Sequence, residues 1–515
     1  MVILERRAAP VAQPTSLVRE QRRMRWAPLW IGGLVVGIVY AGAGVPSYWG
    51  DEAASVLSAQ RSWPSLLAEL STVDAVHGLY YALLHLWIGV FGNSEWSTRA
   101  LSAIGVGCLA AGVVVLGSRW FDRRTGLLAG LLVAVIPRAG IVAIDARGYA
   151  LAAAAAVWLT ILFLHVLRDG RRRGWVIYGI AVALSGTLFL YLLLMPLVHL
   201  TVLLTQHVAA GEARGGSRSV RRWLLSLVIA GVLALPVLTA AERQKGQVSF
   251  LAHRDYMTPL GWFVRPWFGH PAVAAVLLPL LLIGVASAVL PRRHQEGALP
   301  TIVWLLAPGI VLVLIDALVS PTYNPRYLSF SLGAVALLLA SGVWAIVDLA
   351  GRSASRVGAM IAVAALALVG GAVLVPQYLS ERGPYAKDGG ADGRAAAEVV
   401  AEGGQAGDTV LFGTGTRPSR APRLVYRLYP EAFRGMADPQ LITAAADTDG
   451  LWDRLSTVAD VIPSLGDGTL WLIETGSTGT AHADLAALHA AGFVEVAHTD
   501  VHRTVVYEFQ KGAPS

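Results

Sequence analysis

The sequence predicts an α-helical polytopic membrane protein that carries a small extracytoplasmic α/β domain at its C-terminus. Of its 515 residues, 55% are hydrophobic and 15% charged, and the mean hydropathy is +0.57. Apolar runs of about 18 residues or more, enough to cross a hydrocarbon layer of about 30 Å, recur over positions 1–376. After Pro376 the composition becomes that of an ordinary soluble domain.

Charge is divided unequally between the two parts of the chain. Residues 377–515 carry 11 basic and 18 acidic side chains, whereas residues 1–376 carry 30 basic and 16 acidic ones. The basic excess lies in loops between apolar runs, where it indicates orientation across a membrane, so it predicts no nucleic-acid partner. A single cysteine, Cys108, cannot form a disulfide within these residues.

Clusters of arginine between the apolar runs predict the cytoplasmic side. They lie at 119–124, 168–173, 214–222, 292–293 and 352–356. Together with a cytoplasmic basic N-terminus at 1–27, they predict about eleven transmembrane helices within a membrane domain at 28–376. The predicted spans are 28–46, 100–118, 126–142, 149–167, 174–191, 192–207, 223–241, 271–290, 299–318, 328–350 and 356–376. A retained first span fits the N-terminus better than a cleaved signal peptide does. An odd number of spans places the C-terminal domain outside.

This topology places residues 46–99 in the first external loop. The apolar segment His77–Phe91 is only 15 residues long and contains Tyr80, Tyr81 and Trp87, so it predicts a membrane-lying helix and not a full crossing. The alternative, a true span at His77–Phe91, would reverse every later loop and place the arginine clusters outside. The charge distribution disfavours it.

The residues after the membrane domain predict a linker at 377–393 and a soluble domain at 394–515. Three short segments have strand-like composition, and two have amphipathic helical patterns. The predicted strands are 408–412, 469–474 and 504–509, and the predicted helices are 394–402 and 483–491. Strands that alternate with helices indicate a small α/β domain.

The notable polar residues of the membrane part fall on the predicted external side. The most informative are Asp51 and Glu52, because carboxylates next to a membrane span cost free energy unless they have partners. Arginine presents a planar fork of donors that suits phosphate, and a carboxylate can remove a proton from an attacking hydroxyl. The set therefore predicts a reaction centre for an anionic substrate. Its members are Asp51, Glu52, Asp74, His77, Arg99, Asp145, Arg147, Tyr149, His253, Arg254, Asp255, Arg326 and Tyr327.

Each of these residues also has a simpler explanation. Asp51 and Glu52 could cap a helix that begins at Ala53. Arg99 and Arg147 could lie at span ends with their charges in water. His77 could be an interfacial packing residue, and Arg326 with Tyr327 could anchor the start of a span. Only their joint placement on one side indicates a site.

Five segments resemble the GT-C glycosyltransferases of the protein O-mannosyltransferase and aminoarabinose-transferase type, notably their actinobacterial mannosyltransferase-like members. They are WGDEA (49–53), DAVHGLYYALLHLWIGVFGNSEWSTRALSAI (74–104), SRWFDRRTGLLAG (118–130), DARGYAL (145–151) and NPRYL (324–328). The resemblance implies a GT-C fold with membrane-lying helices in the first external loop. It also implies a polyprenyl-phosphate sugar donor and inverting transfer to an acceptor hydroxyl.

The resemblance further implies roles for individual residues. Asp51 matches the catalytic base, and Glu52 a residue that orients the acceptor or the base. Arg99 matches the family's phosphate-binding arginine. His77 falls at the family's His-Pro-Pro or Lys-Pro-Pro element near the donor phosphate, although Gly78-Leu79 replaces the two prolines here. The further candidates for the donor phosphate are Arg147, Arg326 and Tyr327.

The expected activity is transfer of a sugar, with mannose favoured, to a lipid, polysaccharide or protein acceptor at the membrane surface. No cofactor is required, because arginine can stabilise the leaving phosphate and the histidines lack paired metal-ligand spacing. A divalent cation at Asp51 and Glu52 is left as an alternative. Two rival interpretations are left open. The first is a transporter or flippase of lipid-linked sugars, which would be expected to contain inverted repeats and broken helices. The second is a non-catalytic envelope-binding scaffold.

Overall fold

The computed structural model describes residues 26–210, 213–289, 296–476 and 478–512. Residues up to Ser380 form a helical bundle, and the remainder forms a small α/β domain. Most of the basic N-terminal segment 1–27 and the predicted arginine cluster 292–293 lie outside the described residues. The bundle helices are α1 (Ala27–Tyr40), α2 (Gly50–Ala59), α3 (Trp63–Thr72), α4 (Gly78–Phe91), α5 (Glu95–Trp120), α6 (Arg123–Leu132), α7 (Pro137–Ala143), α8 (Tyr149–Asp169), α9 (Arg172–Leu188), α10 (Met195–Ala210), α11 (Ala213–Arg243), α12 (Pro271–Val289), α13 (Ala298–Leu318) and α14 (Leu332–Ser380).

The bundle has the helix lengths of a polytopic membrane protein, as predicted. Within the described residues, seven helices are long and apolar enough to cross a membrane, and the bent pair α6–α7 would make an eighth. Three shorter apolar helical segments lie at 27–40, 75–91 and 190–206. The predicted membrane-lying segment is thus a short helix, α4, after a 3₁₀ turn at Ala75–His77. The figure of about eleven crossings stays a prediction.

Helix α14 contains two predicted spans in one continuous helical stretch of 49 residues. A straight helix of that length would measure about 74 Å, far more than a bilayer needs. The stretch folds back on itself, since a Cβ at Gly351 would lie 3.6 Å from that of Ala359. Asp348 pairs with Arg124 beyond the end of α5, whereas Tyr378 bonds to Ile38 near the end of α1. The two halves of α14 therefore run in opposite directions.

Small residues allow the helices to approach closely. Where α1 crosses α5, a Cβ at Gly32 would lie 2.8 Å from the carbonyl oxygen of Gly107, and a Cβ at Gly107 would lie 2.3 Å from Val36. Contacts of this kind are typical of helix pairs in lipid, where close van der Waals packing replaces the hydrophobic effect. Helix α5 is consequently among the most buried of the long helices and forms the centre of the bundle.

One predicted span is broken. The segment 126–142 was predicted as a continuous crossing, but α6 and α7 meet at an angle of 62°. Proline at 137 restricts the residue before it to extended conformations and cannot donate a backbone hydrogen bond. Ile136 accordingly has φ −72° and ψ 118°. Helix α7 then leads directly into the loop 144–148, which carries two residues of the predicted site.

The C-terminal domain is an α/β domain, as predicted. Its four-stranded sheet has the order β1-β4-β6-β5, with β1 parallel to β4 and the other pairs antiparallel. The strands are β1 (Thr409–Phe412), β2 (Leu441–Thr443), β3 (Arg454–Leu455), β4 (Leu470–Thr475), β5 (Phe493–Asp500) and β6 (Thr504–Lys511). The helices are α15 (Gly393–Gly403), α16 (Arg423–Leu428), α17 (Val458–Val461) and α18 (Gly479–Ala490). The three predicted strands and two predicted helices are confirmed, and β5 is an additional edge strand.

The domain lies directly on the first loop of the bundle. Glu95, at the start of α5, accepts hydrogen bonds from Arg394 and from the Tyr429 hydroxyl. Arg61, after α2, donates to the backbone carbonyls of Thr448 and Gly450. These contacts join the end of the bundle that carries Asp51 and Glu52 to the soluble domain. We call this end the site end.

Candidate active site

Asp51 and Glu52 lie in the first turn of α2, which begins at Gly50. The helix thus starts three residues before Ala53, the start considered in the capping explanation, and carboxylates in a first turn interact favourably with the helix dipole. Successive residues project in different directions from a helix, so the two carboxylates have different surroundings. The Asp51 side chain is 28% exposed, and Glu52 is fully buried.

Glu52 forms a buried ion pair with Arg99. Its two carboxylate oxygens accept from Nε and Nη2 of Arg99 at 2.8 and 2.7 Å. The remaining N–H groups of Arg99 donate to the backbone carbonyls of Ala43, Pro46 and Ser47. All five donors of the guanidinium are therefore in use, and the arginine joins α5 to the chain between α1 and α2.

Asp51 faces two other arginines. Its Oδ2 accepts from Nη1 of Arg326 at 2.6 Å, and Nη1 of Arg147 donates to the Asp51 backbone carbonyl at 3.2 Å. Nη2 of Arg147 donates to Nε2 of His77 at 2.9 Å. Among the described residues, neither Arg147 Nε nor Arg326 Nε has a hydrogen-bond partner, although both atoms are buried. Two cations with unused donors therefore lie beside one accessible carboxylate.

The charges around the carboxylates determine their protonation. Burial would raise the pKa of Asp51, but the positive charges of Arg326 and Arg147 outweigh it and the pKa lies below its usual value. Burial likewise opposes ionisation of Glu52, yet Arg99 and Lys387 lower its pKa to about 2. Both carboxylates are ionised at neutral pH.

His77 is neutral at physiological pH. Burial, and then the positive charge of Arg147, lower its pKa to about 4. The contact with Arg147 requires Nε2 to be the acceptor, which places the ring proton on Nδ1. His77 therefore positions the Arg147 guanidinium without adding charge to the site.

The turn that presents His77 is held by residues from a distant loop. Asp74 adopts a left-handed conformation with φ 56°, and its carboxylate accepts from the Tyr81 hydroxyl at 2.7 Å. The Ala75 backbone N–H donates to Gln244 after α11. Gly78, where the family has proline, is helical with φ −55° and ψ −43°, so α4 begins immediately after His77.

The linker contributes a site residue that sequence reasoning missed. Nζ of Lys387 lies 3.0 Å from Oε2 of Glu52 and 3.5 Å from Oδ1 of Asp145, and it donates to the Ile144 carbonyl. Asp145 also accepts from Trp49 Nε1 at 2.9 Å. The segment 377–393 was predicted as a linker only. A signal was present, because Lys387 is one of only three lysines among 41 basic residues.

The remaining predicted residues divide into two groups. Tyr149 and Tyr327 border Arg326 in an aromatic cluster, with their ring centroids 6.5 Å apart. The Arg326 guanidinium lies 5.9 Å from the Tyr149 ring. By contrast, the second group is exposed and lies on the loop between α11 and α12; it consists of His253, Arg254 and Asp255.

The carboxylate pair does not offer the donor set of a divalent cation site. Both oxygens of Glu52 already have cationic or N–H partners, from Arg99, Lys387 and the Ala146 backbone. Oδ2 of Asp51 is paired with Arg326. Among the described residues, no cluster of three or more His, Cys, Asp or Glu side chains could hold a metal ion. These surroundings suit an anion better than a cation.

Comparisons with known proteins agree with the fold. The family model described as dolichyl-phosphate-mannose-protein mannosyltransferase matches residues 79–239. Among solved structures, the chain is similar to ArnT from Cupriavidus metallidurans bound to undecaprenyl phosphate, with TM-score 0.59 and 14% identity over 95% of this chain and 99% of that one. The apo state of the same protein gives TM-score 0.58 and 13% identity over 96% and 100%. No curated protein matches the sequence.

The chain therefore shares the fold of ArnT, and residues 79–239 match the model of a mannosyltransferase family. The predicted resemblance to GT-C glycosyltransferases of the protein O-mannosyltransferase and aminoarabinose-transferase type is confirmed as a similarity of fold and of this segment.

Proposed function

We propose that this glycosyltransferase moves a sugar from a polyprenyl-phosphate donor to an acceptor hydroxyl, with inversion, at the site around Asp51. The observation that carries the proposal is the meeting of one partly exposed, ionised carboxylate with two arginines that retain unused donors. A phosphate needs such donors, and a hydroxyl nucleophile needs such a base. The similar structure with bound undecaprenyl phosphate supports the donor class.

The proposed step is a single displacement. Asp51 takes the proton of the acceptor hydroxyl while the hydroxyl oxygen forms a bond to the anomeric carbon of the sugar. The bond from that carbon to the phosphate oxygen breaks, and its electron pair stays on the polyprenyl phosphate. Arg326 and Arg147 stabilise the charge that develops there. Because the arginines stabilise the leaving phosphate, the step requires no general acid.

We assign the phosphate contacts differently from the family resemblance. Arg99 uses all five donors within the protein, so we assign it a positioning role together with Glu52 and Lys387. Arg326 and Arg147 are the proposed phosphate ligands. His77 holds Arg147 through a hydrogen bond. The rings of Trp49 and Tyr149 lie beside the Arg326 guanidinium, and Tyr327 packs against Tyr149.

The finer features of the reaction are the donor sugar, the acceptor and the side of the membrane. Mannose is the favoured sugar because the matching family model is described by mannosyl transfer. The acceptor is a lipid, a polysaccharide or a protein. We place the site on the extracytoplasmic side because of the arginines at the other end of the bundle. Those of 119–124 and 168–173 lie at the far ends of α5 and α8, and those of 352–356 lie where α14 folds back.

Replacement of Asp51 by Asn tests the proposal. The change keeps the shape and removes the base, so turnover of a polyprenyl-phosphate sugar by purified protein should fall by a factor of about 10²–10⁴. The control is Glu431→Gln, an exposed acid of the C-terminal domain whose side chain is 78% exposed. Undiminished turnover in Asp51→Asn would refute the base assignment. Lipid scrambling without glycosylated product would favour the transporter instead.

A further inference from the structure

A pocket that the proposed mechanism does not use lies between the first loop and the C-terminal domain. Its volume is about 220 Å³, which is below the roughly 300–1,000 Å³ typical of sites for drug-sized ligands. Leu57 and Arg61 of the first loop form one wall. Thr416, Arg423 and Trp452 of the C-terminal domain form the opposite wall. We call it the interdomain pocket.

The pocket lies where α/β sheets commonly bind ligands. Its wall includes Gly413 and Thr414, which directly follow β1, and ligands of α/β domains bind beyond the carboxyl ends of parallel strands. The loop after β1 is closely packed, since a Cβ at Gly413 would lie 1.9 Å from the Glu474 carboxylate of β4. A fixed backbone at this position gives the pocket a defined shape.

Each arginine that lines the pocket is paired with a carboxylate. Arg61 pairs with Glu69 at 2.8 Å, Arg423 pairs with Asp438 and Asp453 at 2.6 and 2.9 Å, and Arg427 lies 3.8 Å from Asp453. Of these carboxylates only Asp453 lines the pocket itself; Glu69 and Asp438 lie behind the arginines. A phosphate or carboxylate ligand would be expected where a cation lacks a carboxylate partner, so the pairing favours a neutral ligand.

The same walls retain unused hydrogen-bonding groups. Arg423 is 4% exposed, yet its Nη2 has no hydrogen-bond partner among the described residues, and the same holds for Oγ1 of Thr416. Buried donors normally find partners. Beside these polar groups, the pocket presents the apolar side chains of Leu57, Leu424 and Trp452. A ligand with apolar C–H faces and hydroxyl edges would satisfy both.

We propose that the interdomain pocket binds a sugar residue of a neutral carbohydrate acceptor. This inference rests on the proposed function and extends it to the acceptor. Leu57 is six residues beyond Asp51 on α2, or about 9 Å along the helix. A sugar in the pocket is therefore not the one that reacts. It belongs to a neighbouring part of the acceptor chain, whose hydroxyl end reaches Asp51.

Saturation-transfer NMR on the full-length protein in detergent tests the inference. The neutral probes are the methyl glycosides of four disaccharides, built from mannose, arabinofuranose, glucose and galactose respectively. Glucose 6-phosphate is the anionic probe. At least one neutral disaccharide should receive saturation. Its affinity should fall about tenfold in Trp452→Ala and in Arg427→Ala, since each loses a contact to the sugar. Arg434→Ala, an exposed arginine of the same domain, is the matched control.

Three outcomes would overturn the inference: saturation of none of the neutral probes, binding only of the anionic probe, or equal affinity in both pocket variants and wild type. Thr416→Val removes one hydroxyl without changing the shape of the side chain, and it should weaken sugar binding. This variant keeps the inference testable if Arg427→Ala misfolds. Asp51→Asn should retain full sugar binding. Loss of turnover therefore tests the reaction, and loss of sugar binding tests the pocket.

Discussion

At the level of single residues, Asp51 and the donor phosphate would share Arg326. In the structure the guanidinium binds Asp51 at 2.6 Å, and this charge helps to keep the pKa of Asp51 low. A bound phosphate would draw Arg326 away from the carboxylate, which would make Asp51 more basic. The site would thus activate its base only when the donor is present.

Replacing Arg326 with Ala should change the pH dependence of the reaction. Without the guanidinium, burial dominates and the pKa of Asp51 rises, so the acid limb of kcat/KM for the residual activity should move to higher pH. Turnover at neutral pH should also fall, since one phosphate ligand is lost. The measurement is a pH profile from pH 4 to 8, with Arg434→Ala as control. An unchanged acid limb would contradict the pairing.

The buried pair Glu52–Arg99 should contribute to stability chiefly as a pair. Arg99→Met leaves Glu52 buried with part of its charge uncompensated, so the free energy of unfolding should fall by about 3–5 kcal/mol. Adding Glu52→Gln removes that charge, and the double variant should be more stable than Arg99→Met alone. Thermal unfolding in detergent compares the wild type, Arg99→Met, Glu52→Gln and the double variant. A double variant that loses the sum of both single effects would show that the two side chains act independently.

At the level of elements, local sequence properties predict most of the structure. Apolar length alone indicates α8 and α12, and short runs of β-branched and aromatic residues indicate β1 and β6. The break before α7 could not be predicted from Pro137, because proline in an apolar run does not always interrupt a helix. Pro279 and Pro308, for example, lie within continuous helices. Strand β5 was missed because seven of its eight residues are half-buried or exposed, which leaves no alternation to detect.

The candidate site was predictable in membership but not in contacts. Asp51, Arg147 and Arg326 were grouped because a family pattern and a charge-derived topology place them on one side. Their pairings depend on side-chain directions at three distant points of the chain, which no local pattern reports. The resemblance assigned the phosphate to Arg99, whereas in the structure that arginine has no free donor. The contact between Lys387 and Glu52 joins positions 335 residues apart, so no local pattern reports it.

Helix α18 and strand β4 bring two carboxyl groups together in the C-terminal domain. Glu474 and Asp484 are 2% and 6% exposed, and burial followed by the interaction with Asp484 raises the pKa of Glu474 to about 8. The folded domain thus holds a proton that the unfolded chain releases above its ordinary pKa of 4.5. This stabilising contribution is complete below pH 4.5 and is lost as the pH rises towards 8.

Thermal unfolding across this range tests the carboxyl pair. The melting temperature of the C-terminal domain, followed by differential scanning fluorimetry of the full-length protein, should decrease between pH 6 and pH 8.5. In Glu474→Gln the decrease should be smaller, because the amide cannot ionise. Glu431→Gln, whose side chain is 78% exposed, should keep the wild-type slope. Equal slopes in all three proteins would be inconsistent with a shared proton.

At the level of the whole molecule, the C-terminal domain packs on the first loop, and the linker that leads into it contributes a side chain to the candidate site. It docks on Glu95 through Arg394 and Tyr429, and the segment that leads into it inserts Lys387 between Glu52 and Asp145. Burial and the nearby Arg99 lower the pKa of Lys387, while Glu52 and Asp145 oppose that shift. The lysine thereby joins the two halves of the protein at the turn that carries Asp51.

Lys387→Met should therefore reduce catalysis although Lys387 lies outside the bundle. The change removes a charge-assisted contact to Glu52 and leaves Asp145 without its cation, so the loop that presents Arg147 loses support. Turnover should fall about tenfold or more, and Lys387→Arg, which keeps the charge, should restore part of it. Lys245→Met replaces an exposed lysine and should leave turnover unchanged.

Full activity in Lys387→Met would mean that the domain docks without influencing the site. If turnover and melting temperature fall together in Lys387→Met, and Lys387→Arg restores neither, Lys387 contributes to folding alone. If Lys387→Arg restores turnover, the positive charge positions the catalytic turn.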